Sequence, residues 1–102
     1  MNTQQWEVRF SHKAAKQKGK LPQAIQDSLL ALATDMELSG PMQPSWRNFS
    51  KMRNKRGEYY HCHLNGGKPR YVAIWTVADN TVRIIEVIYA GSHENADYRR
   101  LD

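Results

Sequence analysis

The sequence contains very little cysteine and no long apolar segment. Cys62 is the only cysteine among the 102 residues, so no disulfide can form within the chain. A chain without disulfides is typical of a reducing compartment, which predicts the cytoplasm. No run approaches the roughly 18 apolar residues of a membrane span, and the mixed segment 1–10 lacks the apolar core of a signal peptide. We therefore expect a soluble protein with no membrane partner.

The chain also lacks internal repeats and long linkers, and it is short. A length of 102 residues suits one domain of about 100 to 150 residues and leaves no room for a second core. The 40% hydrophobic and 10% aromatic content is enough to build that single core. The sequence therefore predicts one globular domain over residues 1–102.

Acidic residues are absent from the middle of the chain. The net charge is +5 and the pI is near 9.6, yet Asp and Glu are missing altogether from 38 to 57. Cations crowd this stretch and are interrupted by Trp46 and Phe49. A basic segment with aromatic residues favours a nucleic-acid backbone as partner, whereas a merely solvated basic surface is the alternative. The candidate RNA-binding residues are Arg47, Lys51, Arg53, Lys55 and Arg56.

Residues 1–40 have the pattern of one strand followed by two helices. Residues 6–10 alternate apolar and polar side chains, which predicts a short strand. Ser11 can cap a helix that ends at Gly19. A second helix is predicted over 22–38, because apolar residues recur there at helical spacing until Gly40. Its apolar face is expected to pack in the core.

From residue 46 onward the apolar pattern has a period of two. It predicts strands over 46–52, 59–64, 71–78 and 82–89, joined by short turn-forming links that require antiparallel neighbours. The expected fold is α+β, with an N-terminal strand and two helices packed on one face of a twisted, mainly antiparallel sheet. The expected buried positions are Ile25, Leu29, Leu32, Val72 or Ala73, Ile74 or Trp75, and Ile85 or Val87.

Two histidines lie on one face of the predicted strand 59–64. Alternation places His61 and His63 together and Cys62 on the opposite face. A zinc site is one interpretation, but zinc needs three or four ligands and only His93 is a further candidate. A polar, solvated sheet face is the second interpretation. A catalytic or phosphate-binding site is the third.

Arg70 favours the third interpretation. It opens the strand that follows the short 65–69 link, so antiparallel pairing is expected to bring it beside His63. A guanidinium there can hold a phosphate through two hydrogen bonds and stabilise charge on its oxygens. Further along, we expect 91–93 to leave the sheet as a turn, with His93 exposed and Tyr98 on a short tail. An ordinary solvent-exposed terminus is the alternative for that tail.

Several segments resemble the RelE-like branch of the RelE/ParE superfamily of bacterial toxin-antitoxin systems. They are 46–52 (WRNFSKM), 60–64 (YHCHL), 69–75 (PRYVAIW) and 89–98 (YAGSHENADY), and together with the element order they extend the resemblance over nearly the whole chain. The resemblance implies a toxin that cleaves mRNA in the ribosomal A site, inhibits translation, and needs no metal or cofactor. It also implies a cognate antitoxin as partner, which we expect to be small, acidic or amphipathic, and encoded by the neighbouring gene.

The resemblance also implies which residues form the catalytic site. Members carry paired Lys or His on the second strand of the meander, Arg at the start of the third, and Arg or His with Tyr after the last. His61 and His63 match the first position, Arg70 the second, and His93 with Tyr98 the third. Some members have lysines where this chain has histidines, so the general base and the general acid are left unassigned.

Two other functions are compatible with the same resemblance. One is a non-catalytic toxin of the ParE type, which binds DNA gyrase, and the other is an inactive RNA-binding relative. ParE-type members generally lack a set such as His61, His63, Arg70 and His93, so this set favours the endoribonuclease.

Overall fold

The sheet is built around strands from the second half of the chain. The computed structural model describes residues 5–54 and 57–96, and its elements are β1 (Glu7–Phe10), α1 (His12–Gly19), α2 (Gln23–Ser39), β2 (Ser50–Asn54), β3 (Gly57–His63), β4 (Tyr71–Asp79) and β5 (Ile84–Ser92). The strand order is β1-β5-β4-β3-β2. β1 runs parallel to β5, and the other neighbours are antiparallel. The predicted α+β fold is confirmed.

The helices begin and end where local chemistry dictates. The side chain of Ser11 accepts a hydrogen bond from the backbone N–H of Ala14 at 3.0 Å, which caps α1 as predicted. α2 ends at Ser39 and is followed by Gly40, whose positive φ of 93° is readily adopted only by glycine. In the part of the chain that the structure describes, no helix is long and apolar enough to cross a membrane.

Both faces of the central strand β4 are buried. α1 and α2 pack on the face that carries Cys62, Ala73 and Trp75. Val72 and Ile74 point to the other face and form a second apolar cluster with Tyr59, Ile88 and Tyr89. Where two alternatives were given for a buried position, both residues are buried, and the predicted residues of α2 are buried as well. The confirmed positions are Ile25, Leu29, Leu32, Val72, Ala73, Ile74, Trp75, Ile85 and Val87.

The predicted strand 46–52 begins later than expected. Residues 46–49 form turns, and β2 starts at Ser50. The indole N–H of Trp46 donates to Asp35 at 2.8 Å, and the ring of Phe49 stacks on Tyr60 with centroids 6.1 Å apart. These two aromatic residues attach the loop to the helix side of the core, and Asn48 with a φ of 54° interrupts extension between them.

The last strand lies further along the chain than the predicted 82–89. It begins at Ile84, because the carboxylate of Asp79 accepts the backbone N–H groups of Thr81 and Val82 and holds them in a turn. At its end, Gly91 pairs with Val72 and Ser92 pairs with Tyr71. The expectation that these two residues leave the sheet was therefore wrong, and the turn begins at His93.

Leu29 and Leu30 provide a matched test of the packing. Leu29 is 0% exposed between α2 and the sheet, whereas Leu30 is 67% exposed. We expect Leu29→Ala to lower the free energy of unfolding by about 2 to 5 kcal/mol, since it leaves a cavity in the core. Leu30→Ala should change it by no more than about 0.5 kcal/mol. Urea denaturation measures both, and equal losses would contradict the packing described.

Candidate active site

The site begins with two histidines on the sheet face opposite the helices. In the β3–β4 pairing, His61 lies beside Ile74 and His63 beside Val72, both of which belong to the second apolar cluster. Cys62 points into the helix-side core, as alternation predicted. Burial raises the pKa of that thiol to about 12, so it stays protonated and is a poor nucleophile or metal ligand.

A third histidine joins this pair from the other side of β4. The backbone N–H of His93 donates to the carbonyl of Arg70 at 2.8 Å, which fixes the turn after β5 against the start of β4. The ring centroids of His63 and His93 are 5.4 Å apart, and those of His61 and His63 are 5.9 Å apart. The three imidazoles thus form a continuous row, with neighbouring rings at steep angles of 70° and 74°.

Gly91 makes room for the side chain of Tyr89. It pairs with Val72, which in turn pairs with His63, so the three residues share one line across the sheet. The Tyr89 hydroxyl lies over Gly91 and donates to the Ser92 carbonyl at 2.8 Å. A Cβ at position 91 would lie 2.8 Å from the Tyr89 oxygen. Glycine is therefore needed here for close approach of the tyrosine.

Arg70 lies between two clefts beside the histidine row. One cleft, of about 200 Å³, is lined by Arg47, Asn48, His63, Asn65, Gly66 and Arg70. The other, of about 320 Å³, is lined by Lys68, Pro69, Arg70, Ser92, His93 and Glu94. Arg70 can therefore bind an anion in either cleft or one that spans both.

The loop between β3 and β4 is held by a single side chain. The amide of Asn65 accepts the backbone N–H of Tyr71 at 3.0 Å and donates to the carbonyl of Pro69 at 3.1 Å. The next residue, Gly66, lies under the Arg47 guanidinium, and a Cβ there would be 3.1 Å from its central carbon. This arrangement lets Arg47 lie flat against the loop and beside His63.

The charges around the histidines favour their neutral forms. Burial lowers the pKa of His63, and the positive charges of His93, Arg70 and Arg47 lower it further. Burial is also the main cause that lowers the pKa of His61, followed by His63 and His93. Within residues 5–54 and 57–96, neither Arg47 nor Arg70 forms an ion pair with a carboxylate. The two arginines make the site cationic, and the lowered pKa values leave His61 and His63 able to accept a proton at neutral pH.

The predicted RNA-binding residues do not all lie together. Arg47 lines the cleft beside His63. Lys51 and Arg53 lie on the opposite side of the sheet, because Lys51 pairs with the core residue Tyr60, and both cations bind Glu58. The predictions for Lys55, Arg56 and Tyr98 concern residues outside those that the structure describes.

Ser50 and Ser92 also belong to the site, although neither was predicted from the sequence. The Ser50 hydroxyl is 2.7 Å from Nδ1 of His61, and the two residues are cross-strand partners. The signal for this pairing was present, since Asn54 and Gly57 close the hairpin and counting back from them aligns Ser50 with His61. The alignment was missed because the strand was predicted over 46–52, whereas β2 spans Ser50–Asn54.

Metal ligation is not supported by the geometry of the described residues. No group of three or more His, Cys, Asp or Glu side chains in 5–54 and 57–96 is arranged to hold a metal ion. The histidine row extends across the sheet instead of converging on one point, since each ring contacts its neighbour edge to face.

Solved structures identify the class of fold. No protein-family model matches the sequence, and no curated protein sequence matches it either. A chain of the archaeal RelE-RelB complex from Pyrococcus horikoshii OT3 is similar with a TM-score of 0.70 at 16% identity, covering 90% of this chain and 99% of that one. The chain therefore has the α+β fold of RelE-like toxins.

Two further solved structures have a similar fold. The YoeB dimer of Staphylococcus aureus is similar with a TM-score of 0.67 at 16% identity, covering 87% of this chain and 98% of that one. The toxin-antitoxin complex RelBE2 of Mycobacterium tuberculosis gives a TM-score of 0.61 at 17% identity, covering 87% and 99%. The expected resemblance to the RelE-like branch is confirmed at the level of the fold.

The lowered pKa of His63 predicts a loss of stability in mild acid. Below a pH of about 6.5 the unfolded chain binds a proton at this histidine more readily than the folded protein does. The free energy of unfolding should therefore decrease as the pH falls from about 7.5 to about 5.5. Urea denaturation should find a smaller decrease of the free energy of unfolding in His63→Gln, because this variant lacks the histidine whose pKa is lowered by folding. His12→Gln, at an exposed position, is the matched control and should behave as the wild type does.

Proposed function

We propose that this protein is the toxin of a type II toxin-antitoxin system and an mRNA endoribonuclease that acts at the ribosomal A site in the cytoplasm. The observation that carries the proposal is the row of His61, His63 and His93 beside Arg70 and Arg47. The toxin-like fold supports the biological role, and the row supports the chemistry.

The site contains the groups that metal-free RNA cleavage needs. A base removes the proton of the 2′-hydroxyl, which attacks the adjacent phosphorus, and an acid protonates the leaving 5′-oxygen. Imidazoles can perform both proton transfers near neutral pH. Arg70 lies beside His63 and His93, where its guanidinium would bind the phosphate oxygens as negative charge accumulates on them.

Phosphate binding is proposed for the cations around this row. Arg47 would hold a phosphate next to the cleaved one, since it lines the same cleft as Arg70. Lys51 and Arg53 would contact RNA only on the far side of the sheet, because both bind Glu58 there. We propose a backbone-binding role for Lys55 and Arg56 and a stacking role for Tyr98 from the resemblance alone.

A non-catalytic toxin that binds gyrase, or an inactive RNA-binding relative, is the alternative. A protein-binding toxin would not require a row of three imidazoles, with neighbouring ring centroids less than 6 Å apart, beside a cationic cleft. The row therefore favours the ribonuclease over both alternatives.

A cognate antitoxin is the proposed protein partner. Two of the similar structures are toxin-antitoxin complexes, RelE-RelB and RelBE2. The net charge of +5 suits an acidic or amphipathic partner that covers the cationic clefts.

Substitution of Arg70 and His93 tests the proposed chemistry. Arg70→Ala and His93→Ala should each lower the single-turnover rate of mRNA cleavage on translating ribosomes by about 10²-fold or more, because each removes a contact to the reacting groups. Ribosome binding, measured by sedimentation, should change little. Arg70→Lys should recover only part of the rate, since an ammonium group cannot form the two-point contact.

His12→Ala is the matched control for His93→Ala, because His12 is an exposed histidine at the start of α1. It should cleave at the wild-type rate. Full cleavage by both Arg70→Ala and His93→Ala would place the chemistry elsewhere or exclude it, and would favour one of the non-catalytic alternatives.

Co-expression tests the toxin role and the antitoxin together. Expression of this chain alone should arrest growth, and co-expression of the product of the neighbouring gene should restore it. The two proteins should also copurify. Arg70→Ala should be harmless yet still copurify with the antitoxin, which separates binding from chemistry. Normal growth at high expression of the wild type, with no neighbouring product bound, would contradict the toxin role.

A further inference from the structure

Ser50 and His61 form a contact that the sheet itself imposes. The Oγ atom of Ser50 and the Nδ1 atom of His61 are 2.7 Å apart. The two residues are cross-strand partners in the β2–β3 ladder, so the contact follows from strand pairing and does not rely on a loop. Both side chains are half-buried, which limits competition from water.

This contact determines which nitrogen of a neutral His61 carries hydrogen. A neutral imidazole has one N–H and one nitrogen with a free lone pair. If Nδ1–H donates to Ser50, then Nε2 keeps its lone pair and can accept a proton from a substrate. If the Ser50 hydroxyl donates to Nδ1 instead, Nε2 carries hydrogen and can act only as a donor.

The surroundings of Ser50 favour the first arrangement. A hydrogen bond to the backbone of Ser50 raises the pKa of His61 and partly offsets the lowering by burial, His63 and His93. A hydrogen bond that raises an imidazole pKa is one in which the ring N–H donates. Ser50 therefore presents a backbone acceptor to the ring, next to a hydroxyl whose oxygen is able to accept from Nδ1–H.

We propose that Ser50 is a positioning residue that holds His61 in the Nδ1–H tautomer and thereby makes Nε2 the general base of the site. This assignment rests on the proposed ribonuclease function. The proton of the 2′-hydroxyl moves to Nε2, the 2′-oxygen bonds to phosphorus, and the bond from phosphorus to the 5′-oxygen breaks. The leaving oxygen takes a proton from an acid, for which His93, at the far end of the row and in the turn after β5, is the candidate.

Two neighbouring histidines also influence the charge of His61. His63 adjoins it on β3, and His93 reaches it from beyond β5. Their positive charge disfavours a second cation, so it lowers the pKa of His61. The Ser50 oxygen then stabilises the imidazolium formed when Nε2 accepts its proton, since Nδ1–H continues to donate to it.

Nitrogen NMR on the full-length protein tests the tautomer without any substrate. At a pH of about 8, where histidine is neutral, ¹⁵N spectra of the histidine-labelled wild type should give a protonated Nδ1 and an unprotonated Nε2 for His61. Ser50→Ala removes the hydroxyl and keeps the backbone acceptor, so it should move both signals part of the way toward a mixture of tautomers. Ser50→Thr should preserve the wild-type values because it keeps the hydroxyl. Ser45→Ala, an exposed serine in the preceding loop, is the matched control.

Cleavage kinetics test the link to chemistry. Ser50→Ala should lower the single-turnover rate by ~10-fold, a fraction of the roughly 10²- to 10⁴-fold that a positioned base contributes, with little change in the concentration for half-saturation. The acidic limb of its pH–rate profile should move to lower pH, because the imidazolium loses an acceptor. Ser50→Thr should restore both the rate and the profile.

The possible outcomes separate the two proposals. A protonated Nε2 on His61 in an active wild type would overturn the role of Ser50 alone. The same applies if Ser50→Ala leaves both the spectra and the pH–rate profile unchanged. If the wild type has the Nδ1–H tautomer but does not cleave mRNA on ribosomes, the proposed ribonuclease function is wrong. The role of His61 as general base is then wrong too, whereas the effect of Ser50 on the tautomer is still supported.

Discussion

The pairing of β4 with β3 on one side and β5 on the other is the constraint on which the rest of the structure depends. β4 is covered on both faces, so its alternating residues are fixed by two separate apolar clusters and a shift by one residue would exchange them. This pairing aligns His63, Val72 and Gly91 in one line across three strands. It also places the start of β4 beside the end of β5, where the backbone of His93 binds that of Arg70. The histidine row is therefore a consequence of how the core is packed.

The same burial that stabilises the sheet prepares the chemistry of the site. His61 and His63 lie over an apolar cluster, and burial is the first cause that lowers the pKa of each. Arg47 and Arg70 add positive charge beside His63. An anion in the cleft would offset that charge and raise the pKa of the histidine next to it, so a bound phosphate would help an imidazole to hold the proton it accepts. Substrate and base are coupled electrostatically in such a site.

Much of the fold could be predicted from the sequence, because the spacing of apolar residues in helices and strands reflects which side is buried. Here the buried side chains form one apolar cluster on each face of the sheet. The faces of α2 and β3 were predicted correctly for this reason, whereas the burial of both faces of β4 was not predicted. The failures have specific physical causes. Trp46 and Phe49 are aromatic residues of the kind that strands favour, but here they anchor a loop to the core. At Ile88 the β4–β5 pairing skips a residue, since Ile74 pairs with Tyr89 and Trp75 with Val87, and such a bulge has no periodic signal.

Of the site, the convergence of His61, His63, Arg70 and His93 was predictable from hairpin geometry and the resemblance. The positions of Lys51 and Arg53 depend on exact cross-strand pairing, which the sequence pattern did not provide.

The position of β2 at the edge of the sheet affects how readily the protein would aggregate. β2 is at the edge of the sheet, so one side of its backbone has no strand partner among the described residues. Exposed edges of this kind can recruit strands from other molecules and start aggregation. Lys51 and Arg53 project from this edge strand and bind Glu58 on β3, which leaves a cluster of charges beside the open backbone. A strand added at this edge would place its own side chains next to these charges, so Lys51 and Arg53 disfavour unwanted strand addition.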